Sequence, residues 1–286
     1  MLAAQACAGQ DLAGVIDLHV HCDPDSMPRS IDGIALARLA RSRGMRGLVL
    51  KNHNESTAGL AYLAGQAAPG LQVFGGIALN RAVGGINLAA LDHMVRLKGG
   101  RGKIVWMPTF DAENQVRFSR EQRPFVAISR DGRLLPEVQE VLAFLAKHDL
   151  TLATGHSSAA EALLLIEEAR RAGVRRIVAT HASAAPVSMT LDEMRRAAAM
   201  GAWIEFVYNA VTGPNKIMEI GEYTKAIRAV TPAHAIVCSD FGQAANPMPP
   251  DGMAAFLKAL RTEGFTAAEI DRMSKTNPAA ALDLQP

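Results

Sequence analysis

Eight times along the chain a short apolar run gives way to a segment of helical periodicity, and no other feature restricts the fold as much. The runs occupy residues 14–21, 46–53, 71–80, 103–109, 150–156, 175–181, 201–209 and 233–240. Between them stand patterns such as SIDGIALARLARSRG, LLPEVQEVLAFLAKHD, SAAEALLLIEEARRAG, TLDEMRRAAAMG and DGMAAFLKALRTEG. Several open on Ser, Thr or Asp, whose side chains accept from the unpaired N–H groups of a first helical turn, and several close on Gly, which takes a left-handed conformation without penalty. Alternating β and α units join parallel strands. Eight such units predict closure into a (β/α)8 barrel of the α/β class, a single domain of TIM type over residues 1–286.

An open doubly wound sheet would place a glycine-rich phosphate turn after its first strand. The first strand is followed instead by HCDPDSMP, which favours the barrel. No Pro/Ser-rich linker and no low-complexity tract divides the chain. The least regular stretches are NRAVGGINLAALDHMVRLKGG and residues 110–133, and the latter is expected to form an active-site loop or hairpin.

Polar residues gather where the strands end. His19 and His21 close the first strand, Lys51 and His53 the second, His156 the fifth, His181 the sixth and Asp240 the eighth. All strand C-termini of a parallel barrel meet on one face, so these seven ionisable side chains are predicted to converge. Alternation along the first strand puts Asp17, His19 and His21 on one side and Ile16, Leu18 and Val20 on the other. One strand-end histidine is usually satisfied by a backbone carbonyl, but five at four strand ends point to a metal centre. Imidazole and carboxylate ligands suit a divalent metal, zinc first, with manganese, iron, cobalt or nickel also compatible. A catalytic metal keeps one position open for water and lowers its pKa to about 7. An aspartate beside it can both ligate and accept the proton of that water.

Composition bounds the partners. Thirty Lys plus Arg against 28 Asp plus Glu give a net charge of +2, and no Lys/Arg run appears, so nucleic acid is not expected and a small-molecule substrate is. No uncharged apolar run reaches the roughly 18 residues of a membrane span. Three cysteines, Cys7, Cys22 and Cys238, are odd in number and lack CxxC spacing, which argues against a disulfide framework. With no basic n-region at the N-terminus, a cytoplasmic protein is expected, and a homo-oligomer is compatible with everything in the sequence.

The motifs DLHVH, TGH, ATH and CSD, spread over nearly the whole chain, are together similar to those of the amidohydrolase superfamily of metal-dependent hydrolases. The resemblance implies that His19, His21 and Asp240 are metal ligands, that His156 and His181 ligate one or two metals, and that Asp240 also shuttles protons. It implies an orienting role for Asp17 toward a ligand imidazole, and beside Asp240 the chain's own His181 and Lys51 are expected as further catalytic residues. One departure stands out. Two-metal members usually bridge their ions with a carboxylated lysine or a glutamate from the fourth or third strand, whereas those ends read WMPTF and IALNR here. Lys51 could supply the bridge, since a desolvated lysine reacts with carbon dioxide; alternatively His53 ligates and Lys51 holds the substrate.

Around the same face stand Asn80, Arg81, Thr109, Phe110, Asp111, Glu113, Tyr208 and Asn209, of which Asn80, Arg81, Phe110, Tyr208 and Asn209 are expected to bind substrate. Arg81, Arg117 and Arg123 are compatible with a carboxylate-bearing substrate. The expected activity is hydrolysis of an amide, lactone or ester bond of a small molecule. A mononuclear metal-dependent decarboxylase or lyase, or a barrel that binds without turnover, are the alternatives.

Overall fold

The computed structural model describes residues 12–285. Cys7 and most of the N-terminal stretch lie outside them. Eight strands, Ile16–Val20 (β1), Gly47–Leu50 (β2), Gln72–Ala78 (β3), Gly102–Trp106 (β4), Thr151–Ala153 (β5), Arg176–Ala179 (β6), Trp203–Val207 (β7) and Ala235–Cys238 (β8), pair in parallel in chain order. The seam between the first and last is bridged just beyond the strands. Asp240 N donates to His19 O at 2.9 Å and His21 N to Phe241 O at 2.8 Å, so the ends of β1 and β8 that carry His19, His21 and Asp240 are tied together by backbone. The strands are buried along nearly their whole length and are rich in Val, Ile and Leu, as a sheet covered on both faces must be.

Every strand is shorter than its apolar run suggests, and the polar residues account for the difference. His21, Lys51, His53, His156, His181 and Asp240 all lie just past the last paired residue, in backbone that leaves the ladder to turn over the barrel mouth. His181 and Asp240 take positive φ values of 25° and 52°, a conformation that aims a side chain where a continuing strand could not. Two glycines make room for these turns. A Cβ on Gly155 would come within 2.3 Å of Met107 O, and one on Gly242 within 2.0 Å of His21 O. The chain therefore crosses the ends of β1 and β4 at backbone contact distance.

The helices cover the outside of the sheet. Ala159–Arg171 and Leu191–Ala199 begin with full capping boxes, Ser158 with Glu161 and Thr190 with Glu193, as their sequences suggest. Gly33–Ser42 is capped by Asp32, and Pro249–Thr262 starts ahead of the Asp that its pattern offers, on two prolines suited to a first turn. The irregular stretch after β3 holds a helix at Leu88–Arg96 capped by Asn87. Residues 110–133 hold a short helix, Glu113–Phe118, and one strand of a hairpin formed by Ser129–Arg130 and Arg133–Leu134. At the opposite end of the barrel the C-terminal helix Asn277–Ala281 closes the floor: Asn277 Nδ2 donates to Ala235 O at 2.7 Å and Thr151 Oγ1 to Ala281 O. No helix among the described residues is long and apolar enough to cross a membrane, and Cys22 and Cys238 are free and buried.

Candidate active site

The seven strand-end side chains come together at the mouth of the barrel, six of them in two groups and Lys51 beside the first. In the first, Asp240 Oδ1 lies 3.1 Å from His19 Nε2 and 3.1 Å from His21 Nε2. One ligand atom from each of these three residues falls within 4.8 Å of the others. Ligand atoms bound at 2.0–2.2 Å around a tetrahedral ion stand roughly 3.3 Å apart, so the spacing fits a first-row divalent metal. In the second, His156 Nε2 and His181 Nε2 face each other at 3.2 Å, two nitrogens of which at most one need carry a proton, and His53 is edge-on to His156 with ring centroids 6.2 Å apart.

Burial sets the charge of four of the histidines. It lowers the His21 and His181 pKa values from 6.5 to about 4, and it pushes His53 and His156 well below 6.5, so these imidazoles stay neutral with a lone pair to offer, as metal ligation requires. Burial would raise the Asp240 carboxyl, but the pull of His19, the hydrogen bond from His21 and the Lys51 ammonium outweigh it and hold the pKa well below 3.8. The same contest keeps Glu205 low: burial opposes ionisation, and His19 and His181 prevail.

Glu205, inside β7, is the residue that the strand-end reading passes over. Its oxygens lie 3.2 and 3.3 Å from His19 Nδ1, and Oε2 accepts from His181 N at 2.9 Å. One buried carboxylate thus engages His19 Nδ1, leaving Nε2 to face Lys51 and Asp240, and holds the turn that presents His181. Its signal in the sequence is an acid within the apolar run WIEFV, which only a paired charge could occupy. Glu205, rather than Asp17, is the carboxylate in contact with the His19 ring. Asp17 instead accepts from the backbone N–H groups of Ser239 and His19 at 3.1 to 3.2 Å, tying β1 to β8, and burial raises its pKa to about 7.

Lys51 is fully buried, with Nζ 2.9 Å from His19 Nε2 and 5.5 Å from the centre of the Trp106 ring. Desolvation lowers its pKa to about 8, against the pull of Asp240 and Glu205. The second group leans on neutral partners. His53 Nδ1 is 2.8 Å from Thr109 Oγ1 and His156 Nδ1 is 2.7 Å from Gln115 Oε1. Asp240 has its own brace: Asn209 Nδ2 lies 3.4 Å from Oδ2, and Asn209 Oδ1 accepts from Asn246 at 3.0 Å and Asn215 at 3.3 Å.

A cavity of about 600 Å³ opens over both groups. His21, Lys51, His53, His156, His181, Asp240, Phe110 and Asn209 line it. Three residues expected to touch substrate lie outside this lining. Asn80 is buried beneath, donating to His53 O at 2.8 Å and Thr109 Oγ1 at 2.6 Å, so it braces the floor. Arg81 is exposed outside the lining, with its backbone N–H on Asp111. Tyr208 turns outward and stacks on Phe256, centroids 5.0 Å apart, because the aromatic face of the helix Pro249–Thr262 offers it an apolar seat. The expected arginine recognition also lapses: Arg117 pairs with Glu113 and Arg123 with Asp111 and Glu121, away from the cavity. Gln115 and Asn246 come from segments where no ligand-like residue type marks them.

Solved structures share this architecture. Organophosphorus hydrolase from Deinococcus radiodurans superposes with a TM-score of 0.62 at 14% identity, covering 96% of this chain and 93% of that one. A lactonase template engineered for organophosphate hydrolysis gives 0.63 at 17% identity, with 96% and 97% covered. An amidohydrolase from Burkholderia multivorans with bound zinc gives 0.63 at 13% identity, with 96% and 100% covered. At these identities the likeness establishes the barrel fold. No curated protein matches the chain. A family model does match it, over residues 14–205, a span that takes in every histidine of both groups and stops before Asp240: the chain belongs to DUF6282, described as a family of unknown function.

Proposed function

We propose that the protein is a metal-dependent hydrolase of small molecules that uses an activated water on an amide, lactone or ester bond. The observation that carries this reading is the convergence of His19 Nε2, His21 Nε2 and Asp240 Oδ1 at metal-ligand spacing beneath a cavity. His19, His21 and Asp240 hold one divalent ion, and His156 and His181, with His53 beside them, offer a second position. When bound, such an ion supplies a Lewis acid that polarises the carbonyl and acidifies water. Zinc is the preferred ion, a choice supported by the N/O donor set and by the zinc bound in the Burkholderia multivorans amidohydrolase.

The remaining chemistry belongs to the chain. Asp240, ionised and held by Asn209, takes the proton of the attacking water and returns it to the leaving group. His181, neutral and next to it in the mouth, is the second candidate for that transfer. Lys51, 2.9 Å from His19 Nε2, would offer an anionic group beside the first position once its free amine adds to carbon dioxide and loses a proton. This reading places the protein in the cytoplasm as a small-molecule enzyme, in keeping with its free, buried cysteines.

Protein produced in zinc-supplemented medium should contain at least one equivalent of metal by elemental analysis. It should hydrolyse members of a panel of esters, lactones, amides and phosphotriesters, and lose that activity on chelation until zinc is restored. Activity that survives complete metal removal would overturn the reading.

A further inference from the structure

The cavity wall above the histidines differs sharply from its floor. Seven large apolar side chains are exposed among the described residues, and four of them, Met27, Phe110, Phe118 and Ile217, line this one cavity at 40%, 37%, 59% and 52% exposure. Exposed apolar side chains scattered singly carry no message, but a cluster around a concavity marks the surface a ligand covers. The apolar wall begins at the site itself, for Phe110 stacks on His53 with ring centroids 3.8 Å apart. The cations of the lining are already engaged. Arg29 Nε donates to Asp25 Oδ2 at 2.8 Å with Nη2 at 2.6 Å, Lys216 Nζ holds Glu219 at 2.7 to 2.8 Å, and Lys51 belongs to the ligand cluster. A carboxylate on the far end of a substrate would have to compete with Asp25 for Arg29, whose Nη2 makes no hydrogen bond, and with Glu219 for the exposed Lys216.

We propose that the part of the substrate that does not react is an uncharged apolar group, an aryl ring or a medium-length alkyl chain, seated against Met27, Phe110, Phe118 and Ile217. The inference deepens the hydrolase reading and rests on it for the reacting group, while the apolar seat stands on its own geometry. It also departs from the carboxylate-bearing substrate that the arginines suggest from sequence, since those arginines do not line the cavity.

Straight-chain hydroxamates, from acetohydroxamate to octanohydroxamate, keep one metal-binding head and lengthen only the tail. Calorimetric titration into zinc-loaded protein should show affinity rising about three- to fourfold per methylene, the gain from burying one CH2. The monohydroxamate of suberic acid, which ends in a carboxylate, should bind at least about tenfold more weakly than octanohydroxamate. Replacing two exposed residues together, Phe118→Ser and Ile217→Ser, should flatten the chain-length dependence and leave acetohydroxamate binding unchanged. In metal-free protein, hexanamide should shift the methyl NMR signals of Met27 and Ile217 saturably. A flat hydroxamate series, or tighter binding of the suberic compound, overturns the proposal. If hydroxamates fail to bind the zinc-loaded protein but hexanamide still shifts those methyls, the apolar seat stands and the hydrolase reading falls. If the methyl signals do not move either, both fall.

Discussion

The two groups at the barrel mouth are built from the same side-chain types and differ in what stands behind them. His19 and His21 meet Asp240 at 3.1 Å, and Glu205 backs His19, so the first group carries two ionised carboxylates. His53, His156 and His181 lean on Thr109, Gln115 and one another. The first therefore brings the negative charge that offsets a divalent ion in a dry site, and the second brings lone pairs alone. Two positions that look equivalent in a count of histidines should bind metal unequally, with one tight equivalent and a weaker second. Lys51, once it carries a carboxylate, is the residue that could narrow the gap.

The largest expected effect is at the charged group. Asp240→Asn keeps an oxygen that can ligate but has no useful basicity, so kcat/KM should fall about 10²- to 10⁴-fold while bound metal falls less. Activity near the wild-type level would move the proton transfer to another base, with His181 first in line. If metal and activity vanish together, Asp240 acts as a ligand before all else.

Acid should then act on both groups. His21 and His181 are held at about 4 in the fold against 6.5 unfolded, so the unfolded chain binds more protons between those values and stability falls as pH drops through that window. At pH 5 each contributes roughly 2 kcal/mol of destabilisation to the metal-free protein, and the contribution is absent well above 6.5. Thermal unfolding of metal-free protein between pH 7.5 and 5 should show the loss. One equivalent of zinc should restore only the part due to the first group, and complete restoration by one equivalent would erase the distinction drawn between them.

Glu205 gives a smaller and more selective effect. Glu205→Gln keeps the shape but weakens the hold on His19 Nδ1, and a change behind a ligand imidazole typically costs about 10- to 100-fold in metal affinity. The loss should fall on the tight step of a zinc titration. An equal loss at the weaker step would show that the contact of Glu205 with His181 N matters as much as its contact with the His19 ring.

The barrel was legible in the sequence because its signals are local. Each apolar run, each cap and each terminal glycine reports on its own few residues, and eight repetitions leave little choice of topology. The histidines were legible for a related reason, since parallel strands deliver their ends to one face whatever lies between them. The residues behind the ligands were not. Glu205 sits two residues inside its strand and Gln115 on a short helix in an irregular stretch, and each acquires its role only when β7 or that helix packs against a histidine from another part of the chain. Asp17 illustrates the converse. Alternation puts it on the histidine side of β1, but the seam to β8 supplies Ser239 N at 3.1 Å, and that backbone donor takes up the carboxylate. Tyr208 follows the same rule, for its place after β7 said nothing of Phe256 waiting on the helix outside.

The smallest expected effect tests the neutral group by itself. Gln115 Oε1 stands 2.7 Å from His156 Nδ1 and accepts a hydrogen bond from its N–H, which leaves the Nε2 lone pair facing His181. Gln115→Leu removes that acceptor from a half-buried position at the edge of the cavity, so the imidazole loses its preference for one tautomer. A neutral hydrogen bond of this kind contributes about 1 kcal/mol, equivalent to roughly a fivefold change in an equilibrium constant. The weaker step of the zinc titration should therefore lose about fivefold in affinity, and the tight step, backed by Glu205 and Asp240 on the other side of the mouth, should not move. A change in the tight step would mean that the two groups share one network of bonds, and the inequality between them would have to be rebuilt on Lys51, the residue positioned to couple them. No change in either step would mean that His156 does not ligate through Nε2, leaving the second group as a substrate-facing surface of neutral imidazoles.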